Sequence, residues 1–421
     1  MAEHLLRRCS SQNAKKKVSA ALEEDTLARV AEILKEIKTE GRPALERWAR
    51  NLGDWDGESS LILGPVELAR VFESLDESEK ALLVRTKERI ENFARCQMSS
   101  IRPFAMDIPG GRAGQDIVPL EIAGCYVPGG RFPLPSTMLM TAVTARTAGV
   151  ECVYAASPKP TLLTLGASHV AGVDAVIAVG GAQAIGAFTW GVEGVLQPCD
   201  IIVGPGNRYV TAAKKLVAGE VAIDMLAGPS ELLVIADASA SPALVAADLL
   251  AQAEHDTDAI PLLVALDEEL ADAVEVELNK QLADLPTSEV ARGALKNGWC
   301  AVVSSLEEAA SVANAAVPEH LEVQVGEPKL MVPLLKHYGA IFIGAGAAEV
   351  FGDYGAGPNH VLPTGRVGRF SGGLSVHNFL RIRTWMRSDG CLSEEVIDDT
   401  MMLAEREGLM GHRHAAKLRK V

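Results

Sequence analysis

The sequence lacks the features that mark several common classes of protein. Its seven cysteines are an odd number, are scattered along the chain, and include no CxxC pair. Its net charge of −15 argues against a nucleic-acid or anionic-membrane surface, since such surfaces need clustered Lys and Arg. These absences favour a reducing compartment, in which the cysteines act as small core residues, and a small-molecule partner rather than a nucleic acid or a membrane.

The sequence also lacks an intact glycine fingerprint for dinucleotide binding. Gly204-Pro205-Gly206 is followed by Asn207, and Gly344-Ala345-Gly346 is followed by Glu349 where glycine or alanine is expected. A nicotinamide cofactor, if the protein uses one, is therefore held in an unconventional way. Three glycine loops follow apolar runs, at residues 180–181, 204–207 and 228–230. Such positions bind ligands in α/β sheets, although simple tight turns explain these loops equally well.

No secretory signal is visible, and the longest uncharged stretch is too broken to span a membrane. Residues 175–192 are uncharged and long enough to raise that possibility. Four glycines and Gln183 interrupt the stretch, which predicts a buried strand, a glycine loop and the start of a helix. The beginning, MAEHLLRRCSSQNAKKK, is basic and slightly serine-rich, as in a frayed arm or an organellar transit peptide. We expect a cytoplasmic protein, with organellar targeting as the alternative.

Length and composition predict a protein with more than one core. With 421 residues, 48% of them apolar, the chain is long enough for two or more domains. From Val118 onward, short β-branched runs separated by glycines alternate with helix-compatible segments, as in βαβ units with a parallel sheet. The predicted fold class is α/β, with two Rossmann-like α/β units, one of them discontinuous, and small helical segments at both ends.

The predicted boundaries divide the chain into four parts. The first α/β unit comprises residues 20–125 and 231–374, and the second comprises residues 126–230. Residues 1–19 are predicted to form an arm that packs with the C-terminal region. Residues 375–421 are predicted to form a helical arm, a kind of segment that often packs on a second subunit.

The stretch from Ala227 to His255 contains a tight loop, a strand and a capped helix in that order. Leu232–Ala236 is a short apolar run, typical of a strand buried on both faces. Ser241-Pro242 predicts the start of a helix, because proline is tolerated at the first helical position. Gln252 and His255 share one face near the end of this helix, where they could bind a divalent cation; a solvated or C-capping face is the alternative.

Two further segments place carboxylates close to histidines. Pro318-Glu319-His320 joins the two commonest proton-transfer groups. Because adjacent side chains point opposite ways on a strand, both can face one substrate only from a loop or a helix start. The segment 352–365, rich in glycine and proline, concentrates Asp353, Asn359 and His360. This pattern suits either a metal or substrate site or an Asx turn with a solvated histidine.

The C-terminal arm carries four more candidates, Glu405, Glu407, His412 and His414. Glu407 and His414 are two helical turns apart, whereas His412 shares that face only if the segment Gly408 to Gly411 bends the chain. A solvated surface is the alternative interpretation for all four residues.

Several of these segments form a series of motifs whose order along the chain matches that of one known family. They are YVPGG, GGAQAI, VGPGN, GPSE, QAEH, PEHL, GDYGAGPNHVLPT and a histidine in the final arm. In order and spacing they resemble the motifs of histidinol dehydrogenases, from about residue 20 to the end. The resemblance implies an NAD-dependent homodimer with one zinc ion per subunit. It also implies oxidation of L-histidinol to L-histidine through the aldehyde, by two successive hydride transfers at one site, the last steps of histidine biosynthesis.

The same resemblance implies a set of ligands for the zinc ion. Matched motif by motif, they are Gln252 and His255 of QAEH, Asp353 of GDYGAGPNH, and His412 of the arm. The choice of His412 over His414 follows the family pattern alone. The four ligands leave room for substrate atoms, and the family's zinc is thought to orient the imidazole and amine of the substrate.

The resemblance also implies a role for each remaining candidate. His320 resembles the base that removes the alcohol proton, and Glu319 resembles the base that activates water on the aldehyde. The substrate contacts would be Ser230, Gln252, His255, His320, Asp353, Glu407 and His412, and the NAD contacts would be Tyr126, Gln183 and Asn207. The first α/β unit would carry most of the zinc and catalytic residues, and the second would bind NAD. The arm would supply Glu407 and His412 to the partner subunit's site.

One departure from the family pattern and three alternatives accompany this hypothesis. Val376-His377-Asn378 stands where many members have an acidic residue. Relatives such as sulfopropanediol dehydrogenases oxidise another primary alcohol with the same zinc and Glu-His groups. A zinc hydrolase would also use a His/Asp metal site with a nearby glutamate, but it would not use NAD. A non-catalytic binding protein with two lobes is the remaining alternative.

Overall fold

The structure is a computed structural model that describes residues 4–15, 23–129, 133–388, 390 and 392–420. The strands of these residues are β1 (Arg7–Cys9), β2 (Ile62–Leu63), β3 (Phe104–Ile108), β4 (Gly111–Pro119), β5 (Ile122–Tyr126), β6 (Cys152–Ala156), β7 (Ala175–Ile177), β8 (Ile201–Val203), β9 (Ala222–Ile223), β10 (Glu231–Ala236), β11 (Ile260–Ala265), β12 (Trp299–Val302), β13 (His320–Gln324), β14 (Ala340–Ile343) and β15 (Leu380–Ser388). They form two six-stranded sheets and one three-stranded ribbon.

The α-helices of the described residues are α1 (Ser11–Ala14), α2 (Glu24–Glu40), α3 (Arg42–Asn51), α4 (Pro65–Glu73), α5 (Glu77–Ser99), α6 (Pro135–Ala148), α7 (Leu162–Ala171), α8 (Gly181–Trp190), α9 (Arg208–Val217), α10 (Pro242–Ala253), α11 (Glu268–Asp284), α12 (Ser288–Leu295), α13 (Leu306–Ala316), α14 (Pro328–Met331), α15 (Glu349–Asp353), α16 (Glu394–Arg406) and α17 (Met410–Lys417). Short 3-10 helices are formed by Val332–Leu334, Val367–Arg369 and Val376–Phe379. No helix within the described ranges combines the length and apolar composition needed to cross a membrane.

The N-terminal lobe is built on the sheet of order β2-β7-β6-β5-β8-β9. All its strands are parallel except β2, which pairs antiparallel with β7. Helices α4, α5, α6 and α7 bury their apolar faces on one side of the sheet, and α2, α3, α8 and α9 on the other. Its central strands are therefore apolar on both faces, as expected for a parallel sheet covered by helices.

The C-terminal lobe is built on a parallel sheet of order β1-β12-β11-β10-β13-β14. Helices α10, α11 and α12 cover one face, and α1, α13 and α14 cover the other. This lobe confirms the predicted strand at Leu232–Ala236, which lies inside β10, and the helix beginning at Pro242. The uncharged stretch 175–192 contains β7, the glycine loop and α8, as predicted.

The predicted α/β class is confirmed, but the boundary of the first unit is wrong. Residues 20–125 were expected to join 231–374, whereas β5 pairs with β6 and β8 in the sheet of the N-terminal lobe. Helices α2 to α5 also belong to the N-terminal lobe, because their apolar faces pack against its other helices. For example, Ile37 of α2 packs against Gly186 of α8. Helical spacing reveals a buried face but not the partner that covers it.

The two terminal arms also differ from prediction. Residues 4–15 pack on the C-terminal lobe, where β1 pairs with β12 and Leu6 is buried, and not on the C-terminal arm. Residues 1–3 and 16–19 of that predicted arm lie outside the described residues. The C-terminal arm is not wholly helical, because β15 pairs antiparallel with β4, which pairs with β3. Helices α16 and α17 follow this ribbon and pack against each other.

A buried ion pair fixes the glycine loop after β8. The side chains of Lys214 and Asp224 are 2% and 0% exposed. Lys214 Nζ donates to Asp224 and, at 3.0 Å, to the carbonyl oxygen of Gly204, whose own N–H donates to Asp224 Oδ2 at 2.7 Å. Gly204 has a φ of +111°, and a Cβ there would lie 2.1 Å from the carbonyl oxygen of Tyr126. The loop is therefore held on both sides of a residue that must be glycine.

We expect Lys214→Met to destabilise the protein by about 3–5 kcal/mol, because it leaves the Asp224 carboxylate buried without a counter-charge. The matched control is Lys215→Met at the exposed neighbouring position, which should change stability by no more than about 0.5 kcal/mol. Denaturant unfolding curves of the two variants and the parent chain measure the difference. Equal effects of the two substitutions would contradict the role of the buried pair.

Candidate functional site

The candidate residues converge at the amino-terminal edge of the sheet in the C-terminal lobe. His320 is the first residue of β13 and pairs with Leu232 at the start of β10. Helix α10 connects two parallel strands and so runs against them, which brings its last turn back to the same edge. Gln252 lies in that turn and His255 just beyond it. The chemistry therefore lies opposite the carboxyl edge where α/β sheets usually bind ligands.

Three histidines at this edge have their tautomers fixed by the backbone. Each directs Nδ1 at a carbonyl oxygen, which can only accept, so Nδ1 carries a hydrogen and Nε2 is the nitrogen that gains or loses a proton. The pairs are His255 with Ala251 at 3.0 Å, His320 with Glu231 at 3.2 Å, and His360 with Asp353 at 2.9 Å. A backbone partner on the far nitrogen is the usual arrangement around a histidine that binds a metal or accepts a proton.

The carboxylate of Asp353 lies between two of these rings. Its Oδ2 is 3.4 Å from His255 Nε2, and its Oδ1 is 3.6 Å from His320 Nε2. Glu349, one helical turn earlier on α15, is 1% exposed. Ligand atoms of His255, Glu349 and Asp353 all lie within 4.8 Å of one another. One imidazole and two carboxylates at this spacing form a site for a divalent cation.

Several buried polar atoms of this cluster have no hydrogen-bond partner. They are Gln252 Oε1 and Nε2, both carboxylate oxygens of Glu349, and His320 Nε2. Leaving such groups unpaired away from water costs free energy, so each calls for a partner that completes it. The amide and carboxylate oxygens are donor atoms that a divalent cation accepts. The residues therefore fit a bound metal ion.

The electrostatics of the cluster are dominated by carboxylates. Burial lowers the pKa of His320, but the carboxylates of Glu349, Glu319 and Asp353 outweigh burial and raise the pKa to about 10. For His255, burial is again outweighed, by Asp353 and Glu349, and the pKa rises to about 9. Burial itself raises the pKa of Glu349 to about 7. The cluster thus gathers three buried carboxyl groups around two imidazoles, a set in which a divalent cation could take the place of protons.

Glu319 and His320 are buried together at the start of β13. Val317 has a φ of +56°, and Pro318 follows it, so the chain breaks direction before the strand begins, as the sequence predicted. Glu319 Oε2 accepts the N–H of Glu231 at 3.1 Å and lies 3.8 Å from His320 Nδ1. Burial raises the pKa of the Glu319 carboxyl. The pair can therefore serve one reaction centre with two proton acceptors.

The loop after α15 places this cluster between the two lobes. His360 Nε2 accepts the hydroxyl of Thr137 at 3.0 Å, and the amide of Asn359 donates to the carbonyl oxygen of Met140 at 2.8 Å, both on α6 of the N-terminal lobe. A cavity of about 350 Å³ beside the cluster is lined by His320, Asp353, His360, Phe342 and Phe351 among others. This volume suits a small molecule.

The three residues expected to contact NAD lie at the carboxyl ends of strands in the N-terminal lobe. Tyr126 ends β5, Gln183 begins α8 after β7, and Asn207 follows β8. Protein groups already satisfy the N-terminus of α8: Tyr126 Oη accepts from Gly181 at 3.0 Å, and Asp54 Oδ2 accepts from the Gly180 N–H at 2.9 Å. Gln183 Nε2 also donates to Asp54 at 3.3 Å, and its Oε1 is unpaired.

Asn207 differs from the other two in being exposed. Its Oδ1 caps α9 by accepting from Tyr209 and Val210, which leaves its amide N–H groups free to face a ligand in the cleft between strands β5 and β8. The missing glycine fingerprint agrees with this arrangement, because protein groups already accept the N–H groups of Gly180 and Gly181 at the beginning of α8.

The other predicted site residues lie partly outside this cluster. Ser230 immediately precedes β10, and its carbonyl oxygen accepts the N–H of Ile260. Glu407 and His412 are exposed on the C-terminal arm, at the end of α16 and on α17. Within the described chain, no hydrogen bond or ion pair joins either of them to His255 or Asp353. The group of possible metal ligands among the described residues does not include His412.

Sequence reasoning missed Glu349 as a possible ligand. In the sequence, Glu349 was notable only because it interrupts a glycine fingerprint that begins at Gly344. The available signal was its spacing, since Glu349 and Asp353 are four residues apart and share a helix face. That signal requires the knowledge that residues 349–353 are helical, which a segment so rich in glycine and alanine does not reveal.

Comparisons with known proteins agree on one family. The sequence model described as histidinol dehydrogenase matches residues 16–420. The histidinol dehydrogenase of Thermus thermophilus is 45% identical over 92% of this chain and 93% of its own length. That of Aquifex aeolicus is 44% identical over 95% and 93%. The crystal structure of histidinol dehydrogenase from Elizabethkingia anophelis superimposes with a TM-score of 0.93, at 30% identity, covering 100% of this chain and 99% of that one.

These matches extend over nearly the full length of the relatives as well as of this chain. They set aside a zinc hydrolase and a non-catalytic binding protein. The chain belongs to the histidinol dehydrogenase family and is an oxidoreductase.

Proposed function

We propose that the protein oxidises L-histidinol to L-histidine through histidinaldehyde, with zinc as its metal and NAD as its oxidant. The observation that carries this proposal is the cluster in which ligand atoms of His255, Asp353 and Glu349 all lie within 4.8 Å of one another. His320 Nε2, which has no hydrogen-bond partner, lies 3.6 Å from Asp353 Oδ1 in this cluster. A metal site and a proton acceptor are thus combined in a cavity of small-molecule size.

The zinc ligands of one subunit would be Gln252, His255 and Asp353. Gln252 supplies an amide oxygen without a partner, and His255 supplies Nε2 with its far nitrogen fixed on the backbone. When bound, zinc would act as a template that orients the imidazole and amine of the substrate. Glu349 lies within reach of the same point and balances the charge of the cation.

His320 is proposed as the base of the first oxidation, in which the alcohol loses a proton and a hydride. Its Nδ1–H is held by the carbonyl oxygen of Glu231, so Nε2 is the atom that accepts the proton. A cation bound by Asp353 and Glu349 would offset their share of the negative field that raises the pKa of His320, and the share of Glu319 would remain. His320 Nε2 can then accept a proton near neutral pH.

Glu319 is proposed as the base of the second oxidation. The aldehyde takes up water, and the resulting hydrate loses one hydride and two protons to become the carboxylate. The Glu319 carboxylate is 8% exposed and lies 3.8 Å from the His320 ring, close enough for both groups to serve one carbon atom in turn. One water molecule is consumed, and NAD accepts the hydride in each of the two steps.

NAD is proposed to bind at the carboxyl edge of the N-terminal lobe, close to Tyr126, Gln183 and Asn207. The loop from Asp353 to His360 reaches the beginning of α6, which follows β5 and Tyr126 in sequence. This contact directs the carboxyl edge of one lobe toward the amino edge of the other. A nicotinamide ring in that cleft can approach a substrate held beside His320.

We propose that the active form is a homodimer whose arms complete the sites. Several large apolar side chains of the ribbon and arm are more than half exposed in the single chain: Phe104, Met106, Ile382, Met386, Met402, Leu403, Met410 and Leu418. Such a patch marks a protein interface. An arm from the partner subunit could supply Glu407 to the substrate ammonium and His412 to the zinc ion. A reducing, cytoplasmic location forms part of the proposal, in keeping with the odd number of cysteines.

The stoichiometry of NADH tests the proposed reaction and the role of Glu319. Zinc-loaded protein should form two NADH per L-histidinol consumed. Glu319→Gln should keep the first oxidation within about tenfold and slow oxidation of histidinaldehyde by about 10²–10⁴-fold, because the variant has lost a base that acts only there. Stopped-flow absorbance with each substrate measures the two steps. Equal loss in both steps, or no NADH from histidinol with the parent chain, would overturn the assignment.

Replacing His255 with Asn should remove zinc and activity together. Elemental analysis after dialysis should find about one zinc per subunit in the parent chain and less than about a tenth of that in the variant, since a zinc site lacking its imidazole binds far more weakly. The control is His169→Asn, because the His169 ring contacts Phe72 in the N-terminal lobe. Normal zinc content in the His255 variant would remove this residue from the site.

A mixed dimer tests whether the sites are shared. His255→Asn and His412→Asn should each be inactive alone, whereas subunits unfolded, mixed and refolded together should recover about a quarter of the parent activity, because half of the dimers are mixed and each contains one intact site. The control mixture combines His255→Asn with His414→Asn. The His414→Asn variant should be active by itself. No recovery in a mixture shown to contain mixed dimers would place both residues in one subunit's site.

A further inference from the structure

Strand β13 carries a row of buried polar side chains that the proposed mechanism only partly uses. His320, Glu322 and Gln324 share one face of the strand, while Leu321 and Val323 face the opposite core. Their neighbours on β10, paired in register, are apolar on the same face. Glu322 is 1% exposed. A buried carboxyl in such a position needs specific partners, and these show what it does.

The partners of Glu322 lie on three different elements. Its Oε1 accepts the backbone N–H of Glu349 at 2.8 Å, at the beginning of α15. Its Oε2 accepts from Gln324 Nε2 at 3.0 Å, and that same nitrogen donates to Asp248 Oδ2 on α10 at 2.7 Å. Both oxygens of Glu322 are therefore fixed, one of them on the backbone of α15.

Helix α15 depends on support from outside. It has only five residues, and its N-cap residue Ala348 has no side-chain oxygen to accept the first N–H groups. Short helices are marginal on their own, and unpaired N–H groups at a buried helix start are costly. Glu322 supplies the missing acceptor from the neighbouring strand. The helix held in this way carries Glu349 and Asp353, the two carboxylates of the candidate metal site.

We propose that Glu322, held by Gln324 and Asp248, is a positioning residue that fixes α15 so that Glu349 and Asp353 face His255. The inference rests on the proposed zinc site and deepens it, since it names the residue that sets the ligand geometry. Glu322 acts through the backbone of α15 and contacts neither substrate nor cofactor. Its contribution should therefore appear in the retention of zinc and in the order of α15.

The test compares three variants of the full-length, zinc-loaded protein. Glu322→Leu removes the acceptor and should release zinc to excess EDTA about 10–100-fold faster, the range expected when a group that orients a ligand is lost. Glu322→Gln keeps an oxygen for the Glu349 N–H and should stay within about threefold of the parent chain. Val323→Ala, on the opposite face of the same strand, should lower the melting temperature without changing zinc release.

Hydrogen exchange separates a failure of this inference from a failure of the zinc proposal. In the metal-free protein, the amides of residues 349–354 should exchange at least tenfold faster in Glu322→Leu than in the parent chain, and Glu322→Gln should restore protection. If Glu322→Leu does not fold, Gln324→Leu takes its place in the test. This variant removes the amide that holds Glu322 and should also speed exchange at residues 349–354, by a smaller factor.

Unchanged exchange at residues 349–354 would overturn the positioning role, whatever the metal content. Faster exchange with unchanged zinc release would also overturn it, because the helix would then not set the ligands. If Val323→Ala released zinc as fast as Glu322→Leu, the faster release would be explained by general destabilisation, and the positioning role would be overturned. If the parent chain bound no zinc, the zinc proposal and the inference about ligand geometry would both fail, while exchange would still report the contact between Glu322 and α15.

Discussion

The rest of the structure depends on one constraint, the burial of a carboxylate between two imidazole rings. Asp353 lies between His255 and His320, and its pKa lies well below the usual range because the two imidazole rings beside it outweigh the effect of its burial. A charge removed from water must be compensated by groups in fixed positions. Helix α10, strand β13 and helix α15 each contribute one of those groups, so their mutual arrangement is set by the charge they share.

This constraint explains why the site lies at an unusual edge of the sheet. The polar groups are needed where α10 ends and β13 begins, which is the amino edge of the C-terminal lobe. The N-terminal lobe presents its carboxyl edge through α6, which the loop from Asp353 to His360 contacts. The two lobes therefore meet through opposite edges, one rich in acid-base groups and the other in glycine loops. A hydride donor and acceptor held on different lobes would meet at that junction.

Much of the fold and half of the candidate site could be predicted from the sequence. Apolar runs, proline and capping residues located β10 and α10, and the pattern of motifs led to Glu319, His320, Gln252, His255 and Asp353. The positions of Glu407 and His412 in a complete site could not be decided, since a spacing along one chain carries no information about a second chain. Glu349 and Glu322 were missed because an isolated glutamate looks the same in a sequence whether it is solvated or buried.

The sequence by itself determined the α/β class, the family, and the residue types available for chemistry, because periodicity and motif order are properties of the chain alone. Only the tertiary structure decided that helices α2 to α5 and strand β5 belong with the sheet of the N-terminal lobe, since that depends on which apolar faces fit each other. It alone also fixed the tautomers of three histidines and the support of α15 by Glu322. The contact of His320 with Glu231 and that of Glu322 with Glu349 join residues far apart in sequence, and no local pattern encodes their geometry.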